Sequence, residues 1–338
     1  MDEITPNAWI GRNLHEAAPD ILQFRLPLDI GLDHCNVYLI REDAGWCAFD
    51  TGFDTKAVRD IWSAALDGPL KAGITRIIVS HHHVDHLGLA AWLQETTGAP
   101  VYVRPEELTT ARAMMLTDPG TASTIRDHFT RNGFPVEDVD RTLGEFMPTF
   151  FRCALPKETR MPEHGQRMAI GRRLFEVLVT GGHSVAQVAL YDPSDGLFLS
   201  GDQMLEWITP NVSLWPFGET EPLANFLRSL DRIDSREIRL ILPAHYKVYA
   251  PRENRAEAMR AHHLQMLARF RELLRGRMSG FELAEAVYGT QPDLLNRILA
   301  FLETLSHLQW LQKEGTVARH DDRHVSLYER VARRRTDR

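Results

Sequence analysis

An α/β fold follows from three observations on this sequence. Short β-branched or apolar runs alternate with stretches of helical spacing, which is the pattern of a sheet covered by helices. Several of those apolar runs end in a histidine or an aspartate, as they do where a sheet delivers side chains to a site at its strand ends. One turn between a strand and a helix, Ser-His-His-His-Val-Asp-His-Leu-Gly over residues 80–88, holds four imidazoles and a carboxylate in nine residues.

Taken in order, the alternation begins at Ile21 and continues through Asn36–Ile40 and Gly45–Asp50, with turns at Asp33-His34 and 42–45. These segments predict antiparallel strands. Asp50-Thr51-Gly52 closes the third of them. Lys56–Leu66 has helical spacing, Ile74–Ser80 is a buried strand, and the run from Gly88 is helix-forming, so the histidines sit on a strand-to-helix turn. Pro100–Val103 returns to strand. Residues 104–165 then predict a helical insertion, with helices opening at Arg104 and spanning Thr121–Asn132 and Val136–Phe146, separated by 118–120, 133–135 and Met147-Pro148. Met114, Met115, Phe146, Met147, Phe150 and Phe151 give this insertion more large apolar surface than packing on one sheet requires, and a subset of them is expected to line a pocket. Strands follow at Arg172–Thr180, ending in Gly-Gly-His183-Ser, at Val188–Tyr191, at Leu197–Gly201, ending in Asp202, and at Leu240–Ala244, ending in His245. From Glu253 the chain becomes helical and more charged, with helices over Arg260–Arg275, Gly280–Gly289 and Pro292–Gln312 and a hairpin from Thr316 to Tyr328. Five arginines fall between Arg330 and Arg338, a frayed, solvated tail.

Histidine and aspartate gain nothing from an apolar core. They become useful together when a divalent cation takes the place of their water and neutralises the carboxylate. The spacing His81-x-His83-x-Asp85-His86 offers one pair of ligands to one ion and a second pair to a neighbour, with His82 on the other side of the turn. Two metals are therefore predicted from this motif alone.

The run from His81 to Gly88 resembles the signature of the metallo-β-lactamase superfamily, and the further landmarks Asp50-Thr-Gly, Gly-His183-Ser, Gly-Asp202 and Pro-Ala-His245 occur in that superfamily's order. The resemblance covers most of residues 20–250. It implies a four-layer αββα sandwich over residues 1–252, with the insertion at 104–165. Residues 253–330 resemble the small winged-helix-like domain that follows some of these folds, and 331–338 are the basic tail. It also implies a ligand set: His81, His83 and His183 for one ion, Asp85, His86 and His245 for the other, and Asp202 bridging. Asp50 is expected to orient a ligand histidine. Nitrogen-rich sites favour zinc, although iron and manganese suit similar ligands. The implied reaction is hydrolysis, in which water held between the ions loses its proton near neutral pH and attacks a carbonyl or phosphoryl group. Asp85 and Asp202 are the expected proton carriers to the leaving group. Small-molecule esters or thioesters are the expected substrates. An endoribonuclease is the alternative, and a lactonase or phosphotriesterase a further one. The Asp85-His86 pair with a bridging aspartate resembles thioesterases more than enzymes that cleave β-lactams.

Composition narrows the partners. The 338 residues are 43% hydrophobic and 25% charged, ordinary for a soluble globular protein. A net charge of −7 argues against a polyanionic partner. No apolar run approaches the ~20 residues of a membrane helix, and residues 1–7 lack a secretory pattern, so the expected location is the cytoplasm. A homodimer is compatible with these features. Three cysteines, Cys35, Cys47 and Cys153, lack zinc-knuckle spacing, and the two in strand-like runs read as small apolar groups.

Overall fold

The alternating runs at the start of the chain become a six-stranded sheet in sequential order, β1 (Leu14–Ala18), β2 (Ile21–Pro27), β3 (His34–Glu42), β4 (Gly45–Phe49), β5 (Ile74–Ile78) and β6 (Val101–Tyr102). The computed structural model describes residues 5–28, 31–251, 254–322 and 324–331. Strands β1 to β4 pair antiparallel, whereas β4–β5 and β5–β6 are parallel, with helices Lys56–Asp67 and Ala90–Thr97 making the crossovers. A second sheet repeats the plan. β7 (Arg167–Ile170), β8 (Arg173–Thr180), β9 (Gln187–Asp192) and β10 (Leu197–Gly201) form a meander, and β11 (Leu240–Pro243) joins β10 in parallel after helix Pro222–Asp234.

Burial explains the sequence pattern. β4 and β10 are buried at every position, so they read as continuous apolar runs rather than alternating ones. One apolar cluster lies between the sheets, where Ile40, Phe49 and Ile78 meet Phe175, Leu190 and Leu199. A second lies outside the first sheet, under helices Pro6–Asn13, Lys56–Asp67 and Ala90–Thr97, and holds Ile10, Trp62 and Leu93. The third lies outside the second sheet and unites Phe198 with Phe226, Phe129 of the insertion, and Phe270 and Phe301 of the C-terminal helices. Helices thus cover both outer faces of two packed sheets, an α/β sandwich with a helical insertion and a small C-terminal region of helices and strands. That region comprises helices Arg255–Leu273, Gly280–Tyr288 and Leu294–Lys313 and the hairpin β12 (Val317–Asp321) with β13 (Ser326–Arg330). Of the basic tail, residues 332–338 lie outside the described residues.

The structure departs from the expected elements in five places. Helix Pro6–Asn13, strand β1 and strand β7 add to the predicted set, and so does helix Pro222–Asp234, whose Leu223, Phe226, Leu227, Leu230 and Ile233 are buried at helical spacing. Met147-Pro148 is also not a break. The chain widens into a π-helical turn over Thr142–Phe146 and then continues helical to Phe150. Pro148 stands in the first turn of that last segment, where its missing N–H costs little.

Candidate metal centre and pocket

The two sheets bring their strand ends together, and the seven predicted site residues meet there. Four of them, His81, His83, Asp85 and His86, come from the turn after β5. His183 follows β8, Asp202 follows β10 and His245 follows β11. His81, His83, His183 and Asp202 each offer one donor atom within 4.8 Å of the others, and His86, Asp202 and His245 form a second such group. The two oxygens of Asp202 divide between the groups. Oδ2 lies 3.3 Å from His183 Nε2 and 4.0 Å from His81 Nε2, while Oδ1 lies 3.4 Å from His245 Nε2 and 3.6 Å from His86 Nε2. Asp85 Oδ2 faces the second group, 3.3 Å from His245 Nε2 and 3.5 Å from His86 Nε2.

Four of the five imidazoles are held from behind, while His83 Nδ1 itself faces His81 Nε2 at 2.9 Å. Asp50, at the end of β4, takes a left-handed backbone with φ of 66°, and its Oδ2 lies 2.9 Å from His86 Nδ1. Its Oδ1 accepts the Ser80 N–H at 2.7 Å, and the Ser80 hydroxyl lies 2.9 Å from His81 Nδ1. His183 Nδ1 donates to the Asn211 carbonyl at 2.9 Å and His245 Nδ1 to the His34 carbonyl at 3.0 Å. With Nδ1 committed as donor, Nε2 carries the free lone pair and points inward. His183 can be aimed this way because Gly182, at φ of 109°, lies flat against the helix above. A Cβ there would stand 2.3 Å from that of Phe226.

These groups fit divalent cations. His86 Nε2, His183 Nε2 and Asp202 Oδ1 are buried without hydrogen-bond partners, a costly state that a metal relieves. Electrostatics agrees. Burial would raise the Asp202 carboxyl, but His245 and His86 outweigh it and hold the carboxyl well below its ordinary range. Burial and the neighbouring His86 and His83 hold His81 well below the ordinary imidazole value, leaving it a neutral ligand. The site therefore contains two candidate metal-binding groups sharing one carboxylate.

Two residues take roles that the sequence did not announce. His82, on the other side of the turn from the ligand pairs, has a partner of its own. It is buried, and both its main-chain N–H (3.0 Å) and its Nδ1 (2.5 Å) reach Glu107 Oε2. Glu107, fully buried in helix Pro105–Met114, accepts with Oε1 from Ser184 Oγ at 2.9 Å and from the Ala186 N–H at 2.6 Å. One carboxylate thus ties the first histidine turn to the His183 turn. Cys35 is buried as expected, yet its Sγ also groups with Asp85 and His245 and donates to the Asp85 carbonyl at 3.2 Å.

A cavity of about 210 Å³ opens onto His83, Asp85, His183, Asp202 and His245. The insertion supplies one wall, with Met114, Phe146, Phe150 and Phe151. Trp215 and Phe217 supply a second, and Leu295, Ile298 and Leu299 of helix Leu294–Lys313 a third. Phe146, the last residue of the π-helical turn, stacks on Phe150 at 5.0 Å. Among the described residues, no helix is long and apolar enough to cross a membrane.

Comparison with known proteins agrees with this architecture. Residues 30–245 match the Metallo-beta-lactamase superfamily. A solved structure described as a beta-lactamase domain protein from Burkholderia ambifaria shares 30% identity over 94% of both chains, with a TM-score of 0.85. A metallo-beta-lactamase family protein from Thermus thermophilus shares 29% over 94% of this chain and 100% of its own, at 0.81. Hydroxyacylglutathione hydrolase from Rhodobacter capsulatus is 24% identical over 175 residues, half of each chain.

Proposed function

The chain belongs to the metallo-β-lactamase superfamily and is a metal-dependent hydrolase, and from that premise we propose that it cleaves small-molecule esters or thioesters with an apolar acyl group. The observation that carries this reading is the cavity, whose floor is the candidate metal centre and whose walls are phenylalanine, tryptophan, methionine and leucine. Apolar walls bind hydrocarbon at ~25 cal/mol per Å² and offer nothing to a phosphate backbone. The likeness to a hydroxyacylglutathione hydrolase supports an acyl substrate.

His81, His83, His183 and Asp202 would hold one cation, and Asp85, His86, His245 and Asp202 the other, with zinc the ion of choice for so many imidazoles. Bound there, the cations supply Lewis acidity and make water a nucleophile at neutral pH. The chain's own residues do the rest. Met114, Phe150 and Phe151 hold the acyl group and exclude bulk water, while Asp50 and the Asn211 and His34 carbonyls fix the imidazoles. Asp85 and Asp202, lying at the cavity floor, are placed to carry a proton to the leaving group. The winged-helix-like reading of residues 253–330 belongs to the same proposal, with the third helix serving as a pocket wall. The test is a hydrolysis panel on one zinc-loaded preparation, covering acyl thioesters and esters of graded chain length, lactones, phosphotriesters and single-stranded RNA. Rates that rise with acyl length are expected. RNA cleavage faster than any ester, falling steeply with salt, would replace this reading with the ribonuclease.

A further inference from the structure

The C-terminal helix Leu294–Lys313 does more than wall the pocket, because its next turn grips the segment that holds His183. His183 is steadied by a main-chain carbonyl, that of Asn211, and a carbonyl in a loop is only as fixed as the loop. Residues 205–221 form no helix or strand. What fixes them here is the helix. Asn211 Nδ2 lies 3.3 Å from the Leu299 carbonyl and 3.4 Å from Glu303 Oε2, the Val212 main chain bonds to the Glu303 carboxyl, and the Leu214 N–H donates to the Leu302 carbonyl at 3.1 Å. Ser213 Oγ donates to Asn211 Oδ1, holding the amide so that its NH₂ faces the helix. Glu303 is itself anchored, since the Tyr288 hydroxyl, from the preceding helix, donates to its Oε2 at 3.1 Å.

We propose that Glu303 is a positioning residue for the metal centre, acting through Asn211 on His183, so that the C-terminal region completes the catalytic unit. A half-buried carboxylate on the face of a helix that packs into the third cluster is costly and is not needed for that packing. Burial pushes its carboxyl up to about 7, against the opposing hydrogen bonds from Tyr288 and Val212, so it is held there against its preference for water. Besides Tyr288, its partners are the two residues that precede Ser213, and through Asn211 it reaches a candidate ligand in two steps. Partners behind a ligand typically set metal affinity by 10–100-fold.

The inference rests on His183 being a metal ligand, which a separate variant tests. Metal-free wild type, E303A, E303Q, N211A, the E303A/N211A double variant and H183A are titrated with zinc against a chromophoric chelator, and their melting temperatures are recorded without metal. H183A identifies the binding step that involves His183. E303A and N211A are expected to weaken that step by about 10-fold and leave any other step unchanged. The double variant should be no weaker than the worse single one, because both act along one path. E303Q, which keeps an acceptor for Asn211 and Tyr288, should recover most of the affinity. Unchanged zinc binding in E303A overturns the proposal. So does an equal loss at every step that tracks the melting temperature, or a double variant in which the two losses multiply. H183A binding zinc as wild type does would instead overturn the ligand assignment itself.

Discussion

Replacing Glu107 by glutamine should cost this protein about 3–5 kcal/mol, a large share of the 5–15 kcal/mol that holds a domain together. The carboxylate receives four hydrogen bonds, two on each oxygen, all from donors: the His82 N–H and Nδ1 on one side, Ser184 Oγ and the Ala186 N–H on the other. Glutamine keeps one acceptor oxygen and turns an NH₂ toward the other pair. If it faces Ser184, the hydroxyl can rotate to accept, but the Ala186 N–H is stranded. If it faces His82, the imidazole can change tautomer, but the His82 N–H is stranded. Either way one buried main-chain donor loses its partner, at about 1–3 kcal/mol, and one charge-assisted bond is lost, at about 1.5–3 kcal/mol. Urea unfolding of the metal-free protein measures the shift at constant m-value. The pH dependence follows from the same contacts. Burial alone would raise the Glu107 carboxyl, but His82, Ala186 and Ser184 outweigh it and hold it below the ordinary glutamate value. A carboxyl depressed in the folded state adds stability that is complete above the unfolded value of about 4.3 and disappears as pH falls through the folded value. The gap between wild type and E107Q should therefore be widest near neutral pH and close in acid. A loss under 1 kcal/mol, or a gap that widens in acid, would refute the reasoning.

Three further outcomes can be checked directly. Asp202→Ala should lower zinc content measured by elemental analysis and abolish hydrolysis, since its two oxygens face both groups; two tightly held ions in the variant would contradict a bridging role. Asp50→Asn should weaken zinc retention by about 10–100-fold, because an amide in place of Oδ2 meets the Ser80 hydroxyl and His86 Nδ1, and unaltered affinity would show that Asp50 does not orient a ligand. Replacing Phe150 and Phe151 together by alanine should raise KM for long acyl substrates about 10-fold with zinc content intact, whereas a loss confined to kcat would show that they do not hold the acyl group.

The histidine turn was legible because its signal is local: strand, ligands and helix lie within about two dozen residues, and the later landmarks each close an apolar strand. Glu107 was not legible for the opposite reason. In Arg-Pro-Glu-Glu a glutamate is an ordinary first-turn residue facing water, and only the fold shows that one of the pair, Glu106, is exposed while Glu107 is enclosed by two distant turns. His82 was misread with it, since its partner lies 25 positions away. The pocket was half legible. The aromatic excess of the insertion marked one wall, but Leu295, Ile298 and Leu299 fit any amphipathic helix, and nothing in their spacing shows that the face they share meets a cavity rather than a core. The π-helical turn was hidden by Pro148, which in sequence reads as a stop and in the structure begins a new turn.

The ligands are divided four to three between the two sheets, and this makes any ion at the centre a fastener as well as a reagent. Between the sheets lies the apolar cluster that packs them face to face. At the site end the direct polar stitches include the Val188 N–H to the Ser80 carbonyl at 2.8 Å and the Asn36 N–H to the Ala244 carbonyl at 2.6 Å. A cation bound by His81 from one sheet and His183 from the other would span the two sheets. Metal bound there would add a further tie to those hydrogen bonds, so the stability of the sandwich, as well as its chemistry, should rise with metal supply.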